Sequence, residues 1–345
     1  MKRKISGVDL FCGIGGLTYG LQQTGSIRIN AGIDNDWTCK YAFETNNKSK
    51  FLNKDIKEVT KEDLLPYFDN DNYRLIAGCA PCQPYSSHQK NKDLNNRAQH
   101  SKYGLIMELL RLVKEIEPEF VTMENVPHLK KDPSLQEFLQ WFEDNGYYTD
   151  NRVIDISKYG APQKRKRFVF IASKLGIIKI PNGEGALVLV KDVIGNLSPI
   201  VAGQQSDKDP LHIASNLSAL NIKRIKASKP GGTWKDWPIE LLPNCYKKES
   251  GKSYLGVYGR LNADKPAPTL TTQFTRYGTG RYGHYEQNRA LSLREGALLQ
   301  TFPKDYDFGI KAGISKTDIA KHIGNAVPPV LGKIIGDIFL SLIKK

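Results

Sequence analysis

The chain has 345 residues, 40% hydrophobic and 25% charged, a composition that suits a soluble globular protein with room for two domains. Lys and Arg exceed Asp and Glu by enough to give a net charge of +14, which points to a polyanionic partner, nucleic acid before anionic membrane. No apolar stretch approaches the ~20 residues of a membrane span, and the basic start Met1-Lys2-Arg3-Lys4 is not followed by the apolar run of a signal peptide. Five cysteines without framework spacing fit a reducing cytoplasm. Cys12, Cys39 and Cys245 stand alone and the six histidines lack ligand spacing, so no structural metal is expected.

Ile5 to Phe11 predicts a strand that runs through Asp9-Leu10-Phe11-Cys12-Gly13-Ile14-Gly15-Gly16 into a helix over Leu17 to Gln22. Glycines at such a turn let the backbone approach a ligand, although the spacing departs from the G-x-G-x-x-G dinucleotide fingerprint. Ile29 to Ile33 predicts a second strand ending at Asp34-Asn35-Asp36, where an acidic side chain can accept a ribose hydroxyl or simply cap a helix. Asp55-Ile56 closes a third unit, within reach of an adenine amino group.

Leu75 to Ala77 predicts the fourth strand, leading into Gly78-Cys79-Ala80-Pro81-Cys82-Gln83-Pro84-Tyr85-Ser86. Prolines on both sides of Cys82-Gln83 stiffen this loop. Its cysteines admit three readings: a nucleophile, core packing, or a C-x-x-C redox or zinc site. The polar stretch from Gln83 to Lys102 has no periodicity and suits a loop that moves or binds. A helix over Tyr103 to Ile116 follows, with Leu105, Ile106, Leu109, Leu110, Val113 and Ile116 on its apolar face. The strand Phe120 to Met123 ends in Glu124-Asn125-Val126-Pro127. A helix near Ser134 to Glu143 and a strand over Tyr147 to Ile156 lead to Gln163-Lys164-Arg165-Lys166-Arg167, beside the apolar strand Phe168 to Ala172. Arg165 and Arg167 alternate, so an extended chain points both the same way, toward phosphate or a base carbonyl.

Strands alternating with helices predict an α/β fold with a mostly parallel, doubly wound sheet, whose strand ends form one ligand-binding edge. Gly13 to Gly16, Asp34, Cys82 and Glu124 would converge there, pairing a thiol with a carboxylate.

These segments resemble, in order, the motifs of the DNA cytosine-5 methyltransferases, the bacterial modification enzymes in particular. Asp9-Leu10-Phe11-x-Gly13-x-Gly15-Gly16, Pro81-Cys82-Gln83, Glu124-Asn125-Val126 and Gln163-x-Arg165-x-Arg167 carry the likeness in the first half. Arg260 with Pro266-Ala267-Pro268-Thr269-Leu270, then Arg294-Glu295, Leu299-Gln300-Thr301-Phe302-Pro303 and Gly324-Asn325-Ala326-Val327-Pro328 carry it in the second. The likeness covers the chain outside about Ser173 to Gly259. It implies a Rossmann-like S-adenosylmethionine-dependent methyltransferase fold with a smaller target-recognition domain. In that reading Cys82 adds to C6 of a flipped-out cytosine, Glu124 holds a proton at N3 and the exocyclic amine, and Arg165 and Arg167 steady the base and backbone. The cofactor would rest on Asp9, Phe11, Gly13, Ile14, Gly15, Gly16, Asp34, Asn35, Asp55, Ile56, Pro81, Leu105, Asn325 and Val327. Asp34 stands where the family more often has Glu, and Cys79-Ala80 is a less usual opening of the catalytic loop. The redox and zinc readings lack a partner site, so Cys79 is taken as the packing cysteine and Cys82 as the nucleophile.

The segment Ser173 to Gly259 mixes turns, short strands at best, and basic residues among aromatics. The resemblance implies that it recognises the DNA target. Gln83, Ser86, Gln163, Lys229, Arg260, Thr271, Arg276 and Arg281 are the expected DNA contacts. The expected division is a catalytic and cofactor-binding domain over 1–172 with about 310–345, and a small domain over about 173–309. The partners expected are double-stranded DNA and, functionally, a cognate restriction endonuclease acting on the same site. A monomer in the cytoplasm, associated with the nucleoid, is expected. The alternatives are an RNA (tRNA) cytosine-5 methyltransferase and a non-catalytic DNA-binding or redox protein.

Overall fold

Ile5–Leu10 (β1) is buried at all six positions, as a strand covered on both faces must be. It lies in a seven-stranded sheet with β2 (Ile27–Asp34), β3 (Lys50–Asn53), β4 (Tyr73–Gly78), β5 (Phe120–Asn125), β6 (Tyr148–Asp155) and β8 (Lys166–Ser173). The order is β3-β2-β1-β4-β5-β8-β6. The first five strands pair in parallel, and β8 runs antiparallel to both β5 and β6. The strand order reverses between β1 and β4, which is where open α/β sheets bind ligands. The computed structural model describes residues 3–81, 104–252 and 256–343.

The chain forms two compact units. One holds Met1–Ile156, Lys166–Glu184 and Ala326–Lys345, and the other holds Ser157–Arg165 and Gly185–Asn325. These limits differ from the expected 172 and 310. Ser157–Arg165 belongs to the second unit because β7 (Gln163–Lys164) pairs in parallel with β9 (Ala267–Pro268).

In the first unit the helix Leu105–Ile116 buries Leu105, Ile106, Leu109, Leu110, Leu112, Val113 and Ile116. Its polar side carries Arg111, which pairs with Glu108 and Glu115 and donates to the carbonyls of Ile56 and Val59. The helix α1 (Gly16–Gln22) packs on the helix Pro329–Ile343 with almost no space between backbones. A Cβ on Gly20 would run into the carbonyl oxygen of Pro329, and one on Gly332 would sit 2.5 Å from that of Leu17. Gly20→Val is therefore expected to cost ~2 kcal/mol or more, because neither backbone can retreat. A lowered thermal midpoint with unchanged secondary structure is the readout.

The stretch Lys316–Ile343 corrects one expectation, since by length and composition it is apolar enough to cross a membrane. Half of its most apolar window is buried inside the protein, and Leu331, Ile335 and Phe339 of its second helix are core residues.

The second unit holds more helix than the turns and short strands at best expected for 173–259. It contains the helices Val190–Ile194 and Ala219–Ala227, the latter capped by Ser218, whose Oγ accepts the Asn221 N–H. An aromatic cluster of Trp234, Trp237, Tyr246, Tyr258 and Tyr277 forms one core, with the Arg224 guanidinium over the rings of Trp237 and Tyr258. A second core is ionic: Arg289 and Glu295, both fully buried, meet at 2.6 Å and 2.8 Å.

Candidate active site

The end of β1 turns sharply. Phe11 has a φ of 60°, rare for a bulky residue, and Gly13 and Gly15 have φ values of 50° and 85°. Gly15 must lack a side chain because those of Asn47 and Phe43 fill the space its Cβ would need. Gly13 instead opens outward, with nothing among the described residues within 4 Å of a Cβ position. The Gly13 N–H donates to Asp34 Oδ2 at 2.9 Å, and Asp34 Oδ1 accepts the Asp36 N–H at 2.9 Å. Asp34 thus ties the end of β2 to the turn.

Asp9, on β1, is 1% exposed. The Thr18 hydroxyl donates to its Oδ2 at 2.6 Å, while Oδ1 is buried without a hydrogen-bond partner among the described residues. Burial pushes its carboxyl up to about 7, with the Thr18 hydrogen bond opposing and the charge of Asp34 adding to the rise. Burial likewise pushes the Cys12 thiol up. An orphaned carboxyl oxygen near the end of β1, just before a turn with an open glycine, fits a bound group that brings a donor or a positive charge.

The ends of β4, β5 and β8 supply a second set of groups. Gly78 pairs with Met123, so the next residues, Cys79 and Glu124, lie side by side on the same face. Cys79 Sγ donates to Glu124 Oε2 at 2.9 Å. Glu124 pairs with Val169, and Arg167, two residues along β8, shares its face. Arg167 Nε meets Glu124 Oε1 at 2.6 Å, with the two side chains 12% and 4% exposed. The Cys79 N–H donates to the Leu10 carbonyl at 3.2 Å, and Asn125 Nδ2 to the Ala80 carbonyl at 3.2 Å. The loop after β4 therefore starts from a backbone tied to β1 and β5. Cys82, Gln83 and Ser86 lie outside the described residues.

Several expected residues have other neighbours than foreseen. Arg165 and Arg167 have different neighbours: Arg165, in the second unit, donates to the carbonyls of Leu270 (2.9 Å) and Gly324 (3.1 Å). The alternation argument fails because the strand breaks between β7 and β8 at Arg165. Gln163 is fully buried, donating to Leu299 O and Gln300 Oε1 and accepting the Leu270 N–H, so it holds the second unit together. Arg260 is also buried, on the carbonyls of Ile225, His284 and Gln287, and desolvation lowers its pKa. Thr271 is half-buried and accepts from the Tyr282 hydroxyl at 3.2 Å. Lys229, Arg276 and Arg281 are exposed.

Among the remaining cofactor candidates, Ile14, Gly16, Ile56, Leu105 and Val327 are buried, Pro81 is half-buried, and Asn35 and Asn325 are exposed. Asp55 is exposed and caps the turn Ile56–Glu58 by accepting the Lys57 N–H at 3.0 Å. Two polar partners escaped the sequence reading. Thr18 has no motif to mark it, and Cys79 was taken only as packing. Strand register would have found Cys79, once the β4–β5 pairing is known.

A family model described as C-5 cytosine-specific DNA methylase matches residues 5–340. The chain is 45% identical to the Type II methylase M.HgiDII of Herpetosiphon aurantiacus over 334 residues, 95% of this chain and 93% of that one. It is 31% identical to the Type II methyltransferase M1.HphI of Haemophilus parahaemolyticus, covering 97% of this chain and 86% of the other. Among solved structures, an E. coli protein assigned as a prophage-encoded DNA modification methyltransferase superposes with a TM-score of 0.73 at 23% identity, over 99% of this chain and 100% of that one. The S. pombe Dnmt2 methyltransferase superposes with a TM-score of 0.67 at 16% identity, over 98% and 99%. Those two likenesses speak for the fold, a mostly parallel α/β sheet of the methyltransferase kind. Matched along nearly its whole length, the chain belongs to the C-5 cytosine-specific DNA methylase family and is a DNA cytosine-5 methyltransferase.

Proposed function

We propose that this enzyme methylates C5 of a cytosine within a specific double-stranded DNA sequence, with S-adenosylmethionine as methyl donor, as the modification component of a restriction system. The observation that carries the chemistry is Glu124, gripped by Arg167 at 2.6 Å, at the strand end next to the loop that continues into Cys82. The Type II naming of both relatives supports the biological setting. The same reading includes a cytoplasmic monomer and an endonuclease that acts on the same site.

When bound, S-adenosylmethionine supplies an electrophilic methyl group. Asp9 and the turn Phe11 to Gly16 suit its charged methionine end, given the orphaned Asp9 Oδ1 and the open face at Gly13. Asp34, Asn35, Asp55, Ile56, Pro81, Leu105, Asn325 and Val327 complete the site by resemblance. The Cys82 thiolate adds to C6 of the cytosine, and the electron pair of the C5–C6 double bond moves onto the ring, enriching C5. Glu124 holds a proton at N3 and offsets the charge that builds during addition, while Arg167 keeps the carboxyl oriented. After C5 is substituted, its proton leaves, the S–C6 bond breaks and the double bond returns. The target base reaches these groups by flipping out of the duplex. The second unit is the target-recognition domain in this reading, with exposed Lys229, Arg276 and Arg281 meeting phosphate or base edges.

Transfer of labelled methyl to duplex DNA against tRNA tests the substrate. Label is expected in DNA, and label in tRNA alone would sink the proposal. Duplexes carrying 5-fluorocytosine should trap a denaturation-resistant adduct, because the C5 fluorine cannot leave as a proton does. Binding should weaken steeply with salt, in keeping with the +14 charge.

A further inference from the structure

We infer that Cys79 is a positioning residue for the reaction: its thiol fixes the carboxyl of Glu124 from the side opposite Arg167. The inference rests on the reading of Glu124 as the group that handles the proton at cytosine N3. The two oxygens of Glu124 have separate partners. The Arg167 guanidinium forms an ion pair with Oε1 from β8, Nε lying 2.6 Å away, and Cys79 Sγ–H donates to Oε2 at 2.9 Å from the end of β4. With only Arg167 in place, the carboxyl could rotate about its terminal bond, since such sp³–sp² torsions are broad. A second partner on the other oxygen removes that freedom.

The thiol is itself held in place. The Cys79 N–H bonds to the Leu10 carbonyl, and Gly78 before it is paired with Leu10 of β1 on one side and Met123 of β5 on the other. Register then sets Cys79 beside Glu124, one step beyond the Gly78–Met123 pair. Sulfur also suits the position chemically. A thiol is a weak donor and carries no charge, so it can orient a carboxyl without holding it ionised as a second cation would. A carboxyl that must accept and return a proton is served by one strong partner and one weak one. Cys79 thus differs from a merely packed cysteine in having an acceptor that belongs to the chemistry.

The test is a set of single-turnover methyl-transfer rates for Cys79→Ala, Cys79→Ser, Glu124→Gln and the double variant Cys79→Ala with Glu124→Gln. Dissociation constants for DNA and S-adenosylmethionine are measured alongside. Cys79→Ala is expected to slow transfer about tenfold, the scale of one hydrogen bond to a charged group, with both dissociation constants unchanged. Cys79→Ser keeps a donor and should restore the rate to within about threefold of wild type. In the Glu124→Gln background Cys79→Ala should add nothing, since the effect passes through the lost carboxylate. A wild-type rate in Cys79→Ala overturns the inference. So does a loss that Ser does not rescue, or one that persists undiminished on top of Glu124→Gln. If Cys79→Ala does not fold, Cys79→Val, which keeps the bulk and removes the donor, takes its place alone and with Glu124→Gln, and the same rates decide. Failure of the underlying reading looks different: Glu124→Gln alone would then transfer methyl at the wild-type rate.

Discussion

Cys82→Ser is expected to abolish methyl transfer, by ~10³-fold or more, while binding of the methyl donor survives. A serine hydroxyl is almost wholly protonated at neutral pH, so it cannot make the C6 adduct that the electron-poor ring requires. Glu124→Gln should follow closely, at ~10²–10⁴-fold, because the amide can neither give nor take a proton at N3. The structure adds a second consequence for Glu124. Its side chain and that of Arg167 are 4% and 12% exposed, so removing the carboxylate leaves a half-buried guanidinium without its counter-charge. Glu124→Gln should therefore also lower the thermal midpoint, whereas Cys82→Ser need not. Measuring both rates and both melting curves separates chemistry from folding. Substantial methyl transfer by Cys82→Ser would sink the covalent route.

Arg289→Met is the second large effect, this time on stability. Arg289 and Glu295 are completely buried and joined by two charge-assisted hydrogen bonds, and Glu295 Oε2 also accepts the Ser292 N–H at 2.7 Å. Burial pushes the Glu295 carboxyl up, but the hydrogen bonds and charge of Arg289 outweigh it and hold the carboxyl below its usual range. Removing the guanidinium strands a buried carboxylate, at a cost of ~3–5 kcal/mol. Pairing the change with Glu295→Leu should recover much of that, since no uncompensated charge then remains. Urea denaturation of the two variants checks the ranking, and equal stability of Arg289→Met and wild type would contradict it.

The same cluster sets a pH trend. Burial lowers the pKa of His284 to about 4, below its ordinary 6.5. The folded state therefore binds fewer protons than the unfolded state between these values, and stability falls as pH drops from about 6.5 toward 4. Glu295, depressed in the fold, contributes in the same direction and is lost lower still, as pH falls through its folded pKa. Asp9, raised to about 7 in the fold, works in the opposite direction over the same range, so the contribution of His284 is read by comparison: in denaturation curves from pH 7 to pH 5 wild type should lose stability relative to a His284→Asn variant.

Sequence made the first unit legible because its signals are local. Apolar runs such as Leu75 to Ala77 and Phe120 to Met123 end in motif residues, and the glycine turn has the positive φ values that only such a sequence accepts readily. The burial of Gln163, Arg165 and Arg260 was not legible, because it is decided by partners more than a hundred residues away in two of the three cases. Gln163 meets Leu299 and Gln300, and Arg165 meets Leu270 and Gly324. An arginine that satisfies backbone carbonyls reads, in sequence, like one that awaits phosphate. Cys79 was hidden for a related reason: its partner follows from how two strands line up, and no single segment carries that information.

The helix Pro329–Ile343 has a bearing on how the protein comes off the ribosome. It belongs to the first unit, yet the whole of 185–325 is made before it. At ~5–20 residues per second, the nascent sheet waits several seconds to tens of seconds with the Gly20 side of α1 uncovered. During that interval the backbone groove that later receives Gly332 is open to chaperones or to a neighbouring nascent chain. The first unit, begun earliest, is thus among the last parts to become kinetically secure, and synthesis arrested after residue 325 would leave a sheet without its final cover.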